Sequence, residues 1–158
     1  MGLQNKESFD AEETKRIFEQ YKLYVEMADR VSQRRMNANT FFIAANTLLF
    51  TAVAFIGSKE LVWTFFVGVV GCVISYAWYY TLNSYRQLNA GKFTVINEIE
   101  KLLPLSGFSY EWEVLGGGEK KSEYWPLSHV EKIIPVIFFL AYVSLTLIQV
   151  IGQLLHCK

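Results

Sequence analysis

The stretch LVWTFFVGVVGCVISYAWYYTL (residues 61–82) contains no charged side chain over 22 residues, and two further stretches share this property. FFIAANTLLFTAVAFIG (residues 41–57) is uncharged over 17 residues, and IIPVIFFLAYVSLTLIQVIGQLL (residues 133–155) over 23. A helix needs roughly 20 mostly apolar residues to cross the hydrocarbon core of a bilayer, with about 17 as the lower limit. The sequence therefore predicts three transmembrane helices, over residues 38–57, 61–82 and 133–155.

The basic residues are distributed unevenly around these three segments. Residues 1–40 hold seven Lys or Arg and residues 83–132 hold six, whereas the segments on the opposite side contain only Lys59 and Lys158. Cytoplasmic segments of membrane proteins carry an excess of Lys and Arg. We therefore expect the N-terminus to lie in the cytoplasm and the C-terminus outside, with residues 58–60 as an outer turn and residues 156–158 as an outer tail.

Two of the helices are expected to extend beyond the membrane into the cytoplasm. Asp10 followed by Glu13 is typical of a helix-capping box, and no Pro or Gly interrupts residues 11–56. Residues 1–37 are therefore predicted to hold a cytoplasmic helix that continues into the first span. The second span is expected to continue as a helical extension over residues 83–104. Each extension carries an apolar stripe, and we expect the two stripes to pack on each other.

Residues 105–132 are predicted to form a small β-hairpin in the cytoplasm. Tyr110, Trp112 and Val114 alternate with acidic residues, which is the period of a half-buried strand. The three glycines at 116–118 supply a turn. The predicted fold class is an all-α membrane protein with three transmembrane helices, two of them extended into the cytoplasm, and a small cytoplasmic β-hairpin.

Five residues are candidates for helix packing or oligomer contacts. Tyr21 and Tyr24 lie on the aromatic stripe of the first extension, which needs a partner helix. Gly68, Gly71 and Ser75 put small side chains on neighbouring turns of the second span, where another helix can approach closely. These contacts can form inside one protomer or between protomers, and the sequence leaves both open.

Arg30, Arg34 and Arg35 form a basic group just before the first span. Contact with anionic lipid headgroups is expected here, at roughly 1 kcal/mol for each basic residue near the surface. Anchoring of the topology explains the same residues equally well. Glu26 is also spaced to form an ordinary helix ion pair with Arg30.

The sequence favours a protein without catalytic, metal or cofactor sites. His129 and His156 are expected on opposite sides of the membrane, and the triple glycine lacks the Lys-Ser/Thr ending of a phosphate loop. The three spans contain no Asp, Glu, Lys, Arg or His, which proton relays and ion-coupled transporters usually need. The formal net charge of zero gives no reason to expect nucleic acid as a partner.

Four stretches carry a family resemblance: YKLYVEMADRVSQRR (21–35), NSYRQLNAGKFTVINEIEKLLP (83–104), YEWEVLG (110–116) and YWPLSHVEKIIP (124–135). In these stretches the chain resembles the RipA family of small octameric bacterial integral membrane proteins. The resemblance implies a homo-octamer in the bacterial cytoplasmic (inner) membrane. It implies no particular reaction and no catalytic residues.

We interpret the chain as a non-enzymatic, homo-oligomeric membrane protein that contacts membrane lipid and acts as a scaffold or sensor, in stress adaptation or defence. The interpretation also allows for a further protein partner that the sequence does not identify. One alternative is a channel or pore-forming effector. A second is an enzyme acting on a membrane substrate, which needs a cytoplasmic pocket that joins His129 with Glu111, Glu113 or Glu131.

Overall fold

The computed structural model describes residues 9–56, 61–116 and 127–156, and this part of the chain contains four helices. They are α1 (Ala11–Ile56), α2 (Leu61–Glu100), α3 (Gly107–Val114) and α4 (Leu127–His156). The helices α1, α2 and α4 are each long and apolar enough to cross a membrane. The three predicted membrane helices are therefore confirmed as candidate spans.

The start of α1 is fixed by the predicted capping box. The Glu13 backbone N–H donates to Asp10 Oδ1 at 2.7 Å, and the Asp10 backbone N–H donates to Glu13 Oε2 at 3.3 Å. The first N–H groups of a helix have no partner within the helix, so these two bonds satisfy donors that would otherwise need water. From this start α1 continues for 46 residues.

The predicted β-hairpin is wrong where the structure describes that region. The described residues contain no strand, and the first predicted strand forms α3 instead. The Tyr110 N–H donates to the Ser106 carbonyl at 3.0 Å, which is a helical bond between residues four apart. Residues 117–126, which include two of the predicted turn glycines and most of the second predicted strand, lie outside the described residues.

A tertiary contact explains why α3 is helical. The Glu100 carboxylate accepts hydrogen bonds from the backbone N–H groups of Phe108 and Ser109. These N–H groups belong to the first turn, where a helix has no partner for them of its own. In a strand they would bond to a neighbouring strand, so the contact with Glu100 favours the helix. Eight residues of alternating polarity are too short a pattern to outweigh this contact. At the other end Gly116 has a φ of 71°, the left-handed conformation that commonly ends helices and that glycine adopts without strain.

The chain divides into two compact units. We call Met1–Arg34 with Tyr85–Leu127 the extension unit, and Arg35–Ser84 with Ser128–Lys158 the span unit. Both α1 and α2 contribute residues to each of the two units.

The core of the extension unit is built from the apolar stripes of α1 and α2. Ala28 and Val31 of α1 are buried, as are Ile96 and Ile99 of α2. Each pair is separated by three residues, the spacing that places side chains on one face of a helix. The two stripes recognised in the sequence therefore supply the buried apolar residues of this unit.

Aromatic side chains form the core of the span unit. Trp78 is fully buried and stacks on Phe42 with ring centroids 5.9 Å apart. Tyr142 is also fully buried and stacks on Phe50 at 4.6 Å. In the most apolar 18-residue window of α2, 33% of the residues are buried, against 6% for α1 and 11% for α4. Most of the apolar surface of a single chain is thus left for lipid or for other copies.

Candidate functional site

The extension unit is organised around the Glu100 carboxylate, which is fully buried. Glu100 Oε1 accepts from the Tyr21 hydroxyl and from the Phe108 N–H, both at 2.9 Å. Glu100 Oε2 accepts from the Ser109 N–H and the Ser109 hydroxyl, both at 3.0 Å. The N-cap residue Ser106 makes no side-chain capping bond. One carboxylate therefore joins α1, the end of α2 and the first turn of α3.

The hydrogen bonds hold Glu100 in its charged form. Burial raises the pKa of this carboxyl, but the bonds from Phe108, Ser109 and Tyr21 outweigh burial, and the net pKa lies below its usual value. Burial and the adjacent carboxylate raise the pKa of Tyr21 to about 12. At neutral pH the pair is thus a carboxylate acceptor and a neutral phenol donor. This fully bonded arrangement fits a structural clasp better than an acid–base catalyst.

Both tyrosines predicted for packing contact residues of their own chain. The Tyr21 ring stacks on Phe18, and its centroid also lies 6.4 Å from that of Phe108. The Tyr24 ring lies beneath Lys92, with Nζ 6.0 Å from the centroid, which is a cation–π distance. Both rings thus have contacts within one protomer, and both also remain partly exposed.

The helix α3 of the extension unit has no buried residue. Tyr110 is 69% exposed and Val114 is 62% exposed, and their spacing of four residues puts them on one face. Other large apolar side chains of this unit are exposed as well: Phe18, Leu23, Met27, Leu88, Leu105 and Trp112. The shared exposed face of Tyr110 and Val114 is a candidate contact with another protein chain.

Gly68 and Gly71 allow α4 to approach α2 closely. A Cβ atom at Gly68 would overlap the Thr146 hydroxyl, and one at Gly71 would overlap the Tyr142 ring. Small residues let membrane helices pack with their backbones near each other. The structure therefore brings these two glycines together with α4 of the same protomer.

Ser75, the third small residue, belongs to a buried polar group in the span unit. Its hydroxyl donates to Asn46 Oδ1 at 3.4 Å, and Asn46 Nδ2 donates to the Phe42 carbonyl at 2.8 Å. The Tyr142 hydroxyl donates to the Asn46 carbonyl at 3.3 Å. These bonds link all three candidate spans, and they use the polar atoms of Asn46 inside the protomer.

The three arginines have different surroundings. Arg30 forms an exposed ion pair with Glu26 at 2.6 Å, one helical turn away, and Arg34 is exposed. Arg35 lies 3.4 Å from Glu131 of α4, and both side chains are mostly buried. Arg30 and Arg34 are thus exposed on a single chain, whereas Arg35 joins α1 to α4.

The described residues include no group of three or more His, Cys, Asp or Glu side chains placed to hold a metal ion. The side chain of His129, on which the enzyme alternative depends, lies outside the described part of the structure. That alternative is therefore not tested by the geometry.

A known protein family matches most of the chain. The model of the octameric membrane protein family (8xMP) matches residues 18–151, which include most of α1 and α4 and all of α2 and α3. The chain belongs to this family. The resemblance found in the sequence is thereby confirmed, together with a membrane location and self-association. No curated protein and no solved structure matches the chain.

Glu100, whose carboxylate joins three helices of the extension unit in this octameric membrane protein, was not predicted from the sequence. A signal was available, because Glu100 follows the buried Ile96 by four residues and so lies on the same helix face. The contacts of Tyr142 with Gly71 and of Glu131 with Arg35 were missed as well. Those pairs are far apart in the sequence, and no local pattern indicates them.

Proposed function

We propose that this octameric membrane protein is a non-enzymatic scaffold or sensor of the bacterial cytoplasmic membrane, acting in stress adaptation or defence. The observation that carries the proposal is the exposed apolar surface of α3, held in place by the buried Glu100 clasp. A rigid element that presents Tyr110 and Val114 to its surroundings fits contact with another protein chain. We propose that the chain in contact with α3 is a neighbouring copy of this protein. An unidentified partner protein then binds the assembled oligomer.

The test of this contact uses two matched double variants. Replacing Tyr110 and Val114 with Glu puts charge on the exposed face of α3 and should lower the mass of the assembly measured by light scattering in detergent. Replacing Ala90 and Thr94 with Glu adds the same charges at the same spacing on an exposed polar face of α2, and should leave the mass unchanged. An unchanged mass in the α3 variant would contradict the proposed contact.

The proposed orientation places the extension unit in the cytoplasm and the C-terminus outside. It is supported by the thirteen Lys and Arg in residues 1–40 and 83–132 against two elsewhere. In a protein whose Cys72 and Cys157 are replaced with Ser, single cysteines introduced at Lys59 and Lys158 should react with a membrane-impermeant reagent in intact cells, whereas one at Lys120 should react only after lysis. Labelling of position 120 in intact cells would reverse the orientation.

A pore is the second candidate, favoured by one observation. Thr47 and Thr51 are exposed on a single chain, and their spacing puts both on one face of α1. However, each hydroxyl donates to a carbonyl of its own helix, at 2.9 Å and 2.8 Å respectively. The spans also contain no Asp, Glu, Lys, Arg or His side chain to attract an ion.

Conduction separates the scaffold from the pore. We expect purified protein in planar bilayers to give no discrete currents above background. Reproducible unitary currents that depend on protein concentration, and that a bulky Thr47→Phe substitution abolishes while Ile148→Phe does not, would contradict the scaffold. Ile148 is an exposed residue of α4 and so supplies a control of equal bulk.

A further inference from the structure

The helix α3 docks on its own chain by one face only. The Phe108 ring lies 5.7 Å from the ring of Phe93 on α2 and 6.4 Å from that of Tyr21 on α1. Tyr110 follows Phe108 by two residues, and side chains two apart on a helix do not share a face. Tyr110 and Val114 therefore point away from the docked face, which agrees with their exposure.

The exposed face of α3 carries negative charge along both edges. Glu111 follows Tyr110 and Glu113 precedes Val114, so a rotation of about 100° per residue places one carboxylate on each side of the apolar pair. Both carboxylates are exposed, and neither forms an ion pair within the described part of the chain. Residues 107–114 contain no Lys or Arg. A partner for this acidic face should therefore combine apolar and basic side chains.

The extension unit presents such a combination on α1. Leu23 and Met27 are 54% and 39% exposed and lie one turn apart on one face. Arg30 and Arg34 continue that face over the next two turns, and both are exposed. Arg30 is paired with Glu26, whereas no described residue forms an ion pair with Arg34. We call Leu23, Met27, Arg30 and Arg34 the α1 strip.

The acidic face of α3 and the α1 strip lie at similar heights along α1 but on different sides of the extension unit. Phe108 contacts Tyr21, so α3 lies at the level of that residue. Leu23 and Met27 follow Tyr21 by two and six residues, which is a rise of about 3 Å and 9 Å. Leu23 is two residues from Tyr21 and so lies on a different side of α1 from the one that meets α3. The α3 of the same chain therefore leaves the α1 strip exposed.

Self-association gives these two unlike surfaces a common use. The chain belongs to an octameric membrane family. A contact between two unlike surfaces is heterologous, and it repeats from copy to copy until a ring closes. In a ring whose axis is the membrane normal, each residue lies at the same height in every copy, so only surfaces of matching height can meet. The acidic face of α3 and the α1 strip satisfy this condition.

We propose that the acidic face of α3 binds the α1 strip of the next copy of this chain, and that repetition of this contact closes the octamer as a ring. The apolar pair of α3 packs on Leu23 and Met27, and its carboxylates pair with Arg34. The inference rests on the proposed contact of α3 with a neighbouring copy. It deepens that proposal by naming the surface that receives α3.

Cross-linking of the full chain in native membranes tests the contact. Two differently tagged forms, both with Cys72 and Cys157 replaced by Ser, are expressed together, one with Met27→Cys and the other with Val114→Cys. A short bismaleimide should join them into covalent dimers that carry both tags. A chain with both cysteines should give a ladder of sizes up to the octamer. In the control, Thr94→Cys at an exposed polar position of α2 replaces Met27→Cys and should give several-fold fewer mixed dimers.

The ionic contact is tested by reversing charges in the same experiment. Arg34→Glu should lower the yield of mixed dimers about two- to fivefold, the range that corresponds to one exposed ion pair. Glu111→Lys with Glu113→Lys on the other form should restore the yield. Lys101→Glu reverses an exposed lysine that pairs with Glu98 and should leave the yield unchanged. Equal yields from all these variants would overturn the pairing with Arg34 and assign that residue to another partner, such as an anionic lipid headgroup.

The outcomes separate this inference from the proposed function. If Val114→Cys chains cross-link with each other more than with Met27→Cys chains, α3 pairs with α3 and the inference is overturned. It is also overturned if mixed dimers do not exceed the control while the Tyr110→Glu/Val114→Glu variant loses mass. In that case α3 contacts a copy through another surface, and the proposed function stands. If that variant keeps its mass and no mixed dimers form, both proposals fail.

Discussion

The extension unit buries a charged side chain, Glu100, whereas the polar side chains buried in the span unit, Asn46, Thr64 and Ser75, are all neutral. Four donors converge on the Glu100 carboxylate, which offsets the large cost of taking a charge out of water. Asn46 needs only bonds of ordinary strength with Phe42 and Ser75. The comparison indicates that the core of the extension unit depends on the buried Glu100 carboxylate, while the span unit combines packing and neutral hydrogen bonds in its core with the less deeply buried ion pair of Arg35 and Glu131.

Removal of the Glu100 carboxylate should have the largest effect. Glu100→Ala leaves the first N–H groups of α3 and the Tyr21 hydroxyl, which are partly buried, without their acceptor. A neutral donor left without an acceptor away from water costs about 1–3 kcal/mol, and four donors lose their acceptor here. Residues 107–114 should therefore lose amide hydrogen-exchange protection in the intact assembly. Glu98→Ala removes a carboxylate from a partly exposed pair with Lys101 and should cost less than about 1 kcal/mol. Similar losses of protection in the two variants would show that the extension unit does not depend specifically on the Glu100 carboxylate.

Close packing in the span unit should give the next largest effect. Gly71→Ala forces the Tyr142 ring or the α4 backbone to shift, and overpacking of this kind costs about 1–3 kcal/mol. Thermal unfolding in detergent should therefore occur at a lower temperature. Gly152→Ala is the control, because a Cβ there meets nothing within 4 Å, and it should be neutral or stabilising since Ala favours helices. A Gly71→Ala protein as stable as the Gly152→Ala protein would mean that α2 and α4 can separate freely.

The neutral polar contact in the span unit should contribute less. Asn46→Leu removes the bonds with Ser75 and Phe42, and hydrogen bonds between membrane helices are worth about 0.6–1.7 kcal/mol. Thermal unfolding should shift less than in Gly71→Ala. Thr47→Val, at the neighbouring exposed position, serves as the reference. A loss as large as that of Glu100→Ala would show that charge does not distinguish the two units.

A small decrease in pH should have the smallest effect on stability, because it protonates only a fraction of the Glu100 carboxylates. The folded pKa of Glu100 lies below its ordinary value of 4.5, so its stabilising contribution is present above pH 4.5 and is lost as the pH falls through the folded pKa. The pH dependence of the stability contributed by Tyr21 has the opposite sign. Its pKa is raised from 10.0 to about 12, so its contribution is complete below pH 10 and is lost as the pH rises towards 12.

Hydrogen exchange of residues 107–114, corrected for the intrinsic pH dependence, measures the acid effect. Protection should weaken below pH 4.5 in the natural protein, and Glu100→Gln should remove the part of that dependence due to this carboxyl. Protection around Asn46, Thr64 and Ser75 in the span unit should change less, because these buried polar side chains do not ionise in this range. An equal loss of protection in both units would point to general acid unfolding.

The long helices could be predicted from the sequence because their signals are local. Uncharged runs of 17, 22 and 23 residues indicate the spans, and the Asp10–Glu13 pair makes both bonds of the predicted capping box. The close approach at Gly68 and Gly71 was also indicated by residue size, although the sequence could not tell which helix approaches. Side chains in all three spans are similarly apolar, so composition does not specify the partner.

The helix α3 could not be predicted because its stabilising contact is tertiary. The alternation of Tyr110, Trp112 and Val114 favours a strand when read alone. The decisive acceptor, Glu100, lies eight and nine residues before the donors Phe108 and Ser109, beyond a turn. A pattern of eight residues carries no information about such a contact.

The burial of Trp78 has a spectroscopic consequence. Its indole N–H donates to Asn39 Oδ1 at 2.9 Å, and its ring is 0% exposed between Phe42 and Phe138. Trp63 and Trp112, by contrast, are 57% and 48% exposed. Brominated lipids quench an indole only on contact, so they should dim Trp63 and leave the emission of Trp78 intact. Trp78 is therefore an intrinsic fluorescence probe, and its emission reports whether the three spans of a protomer remain packed together.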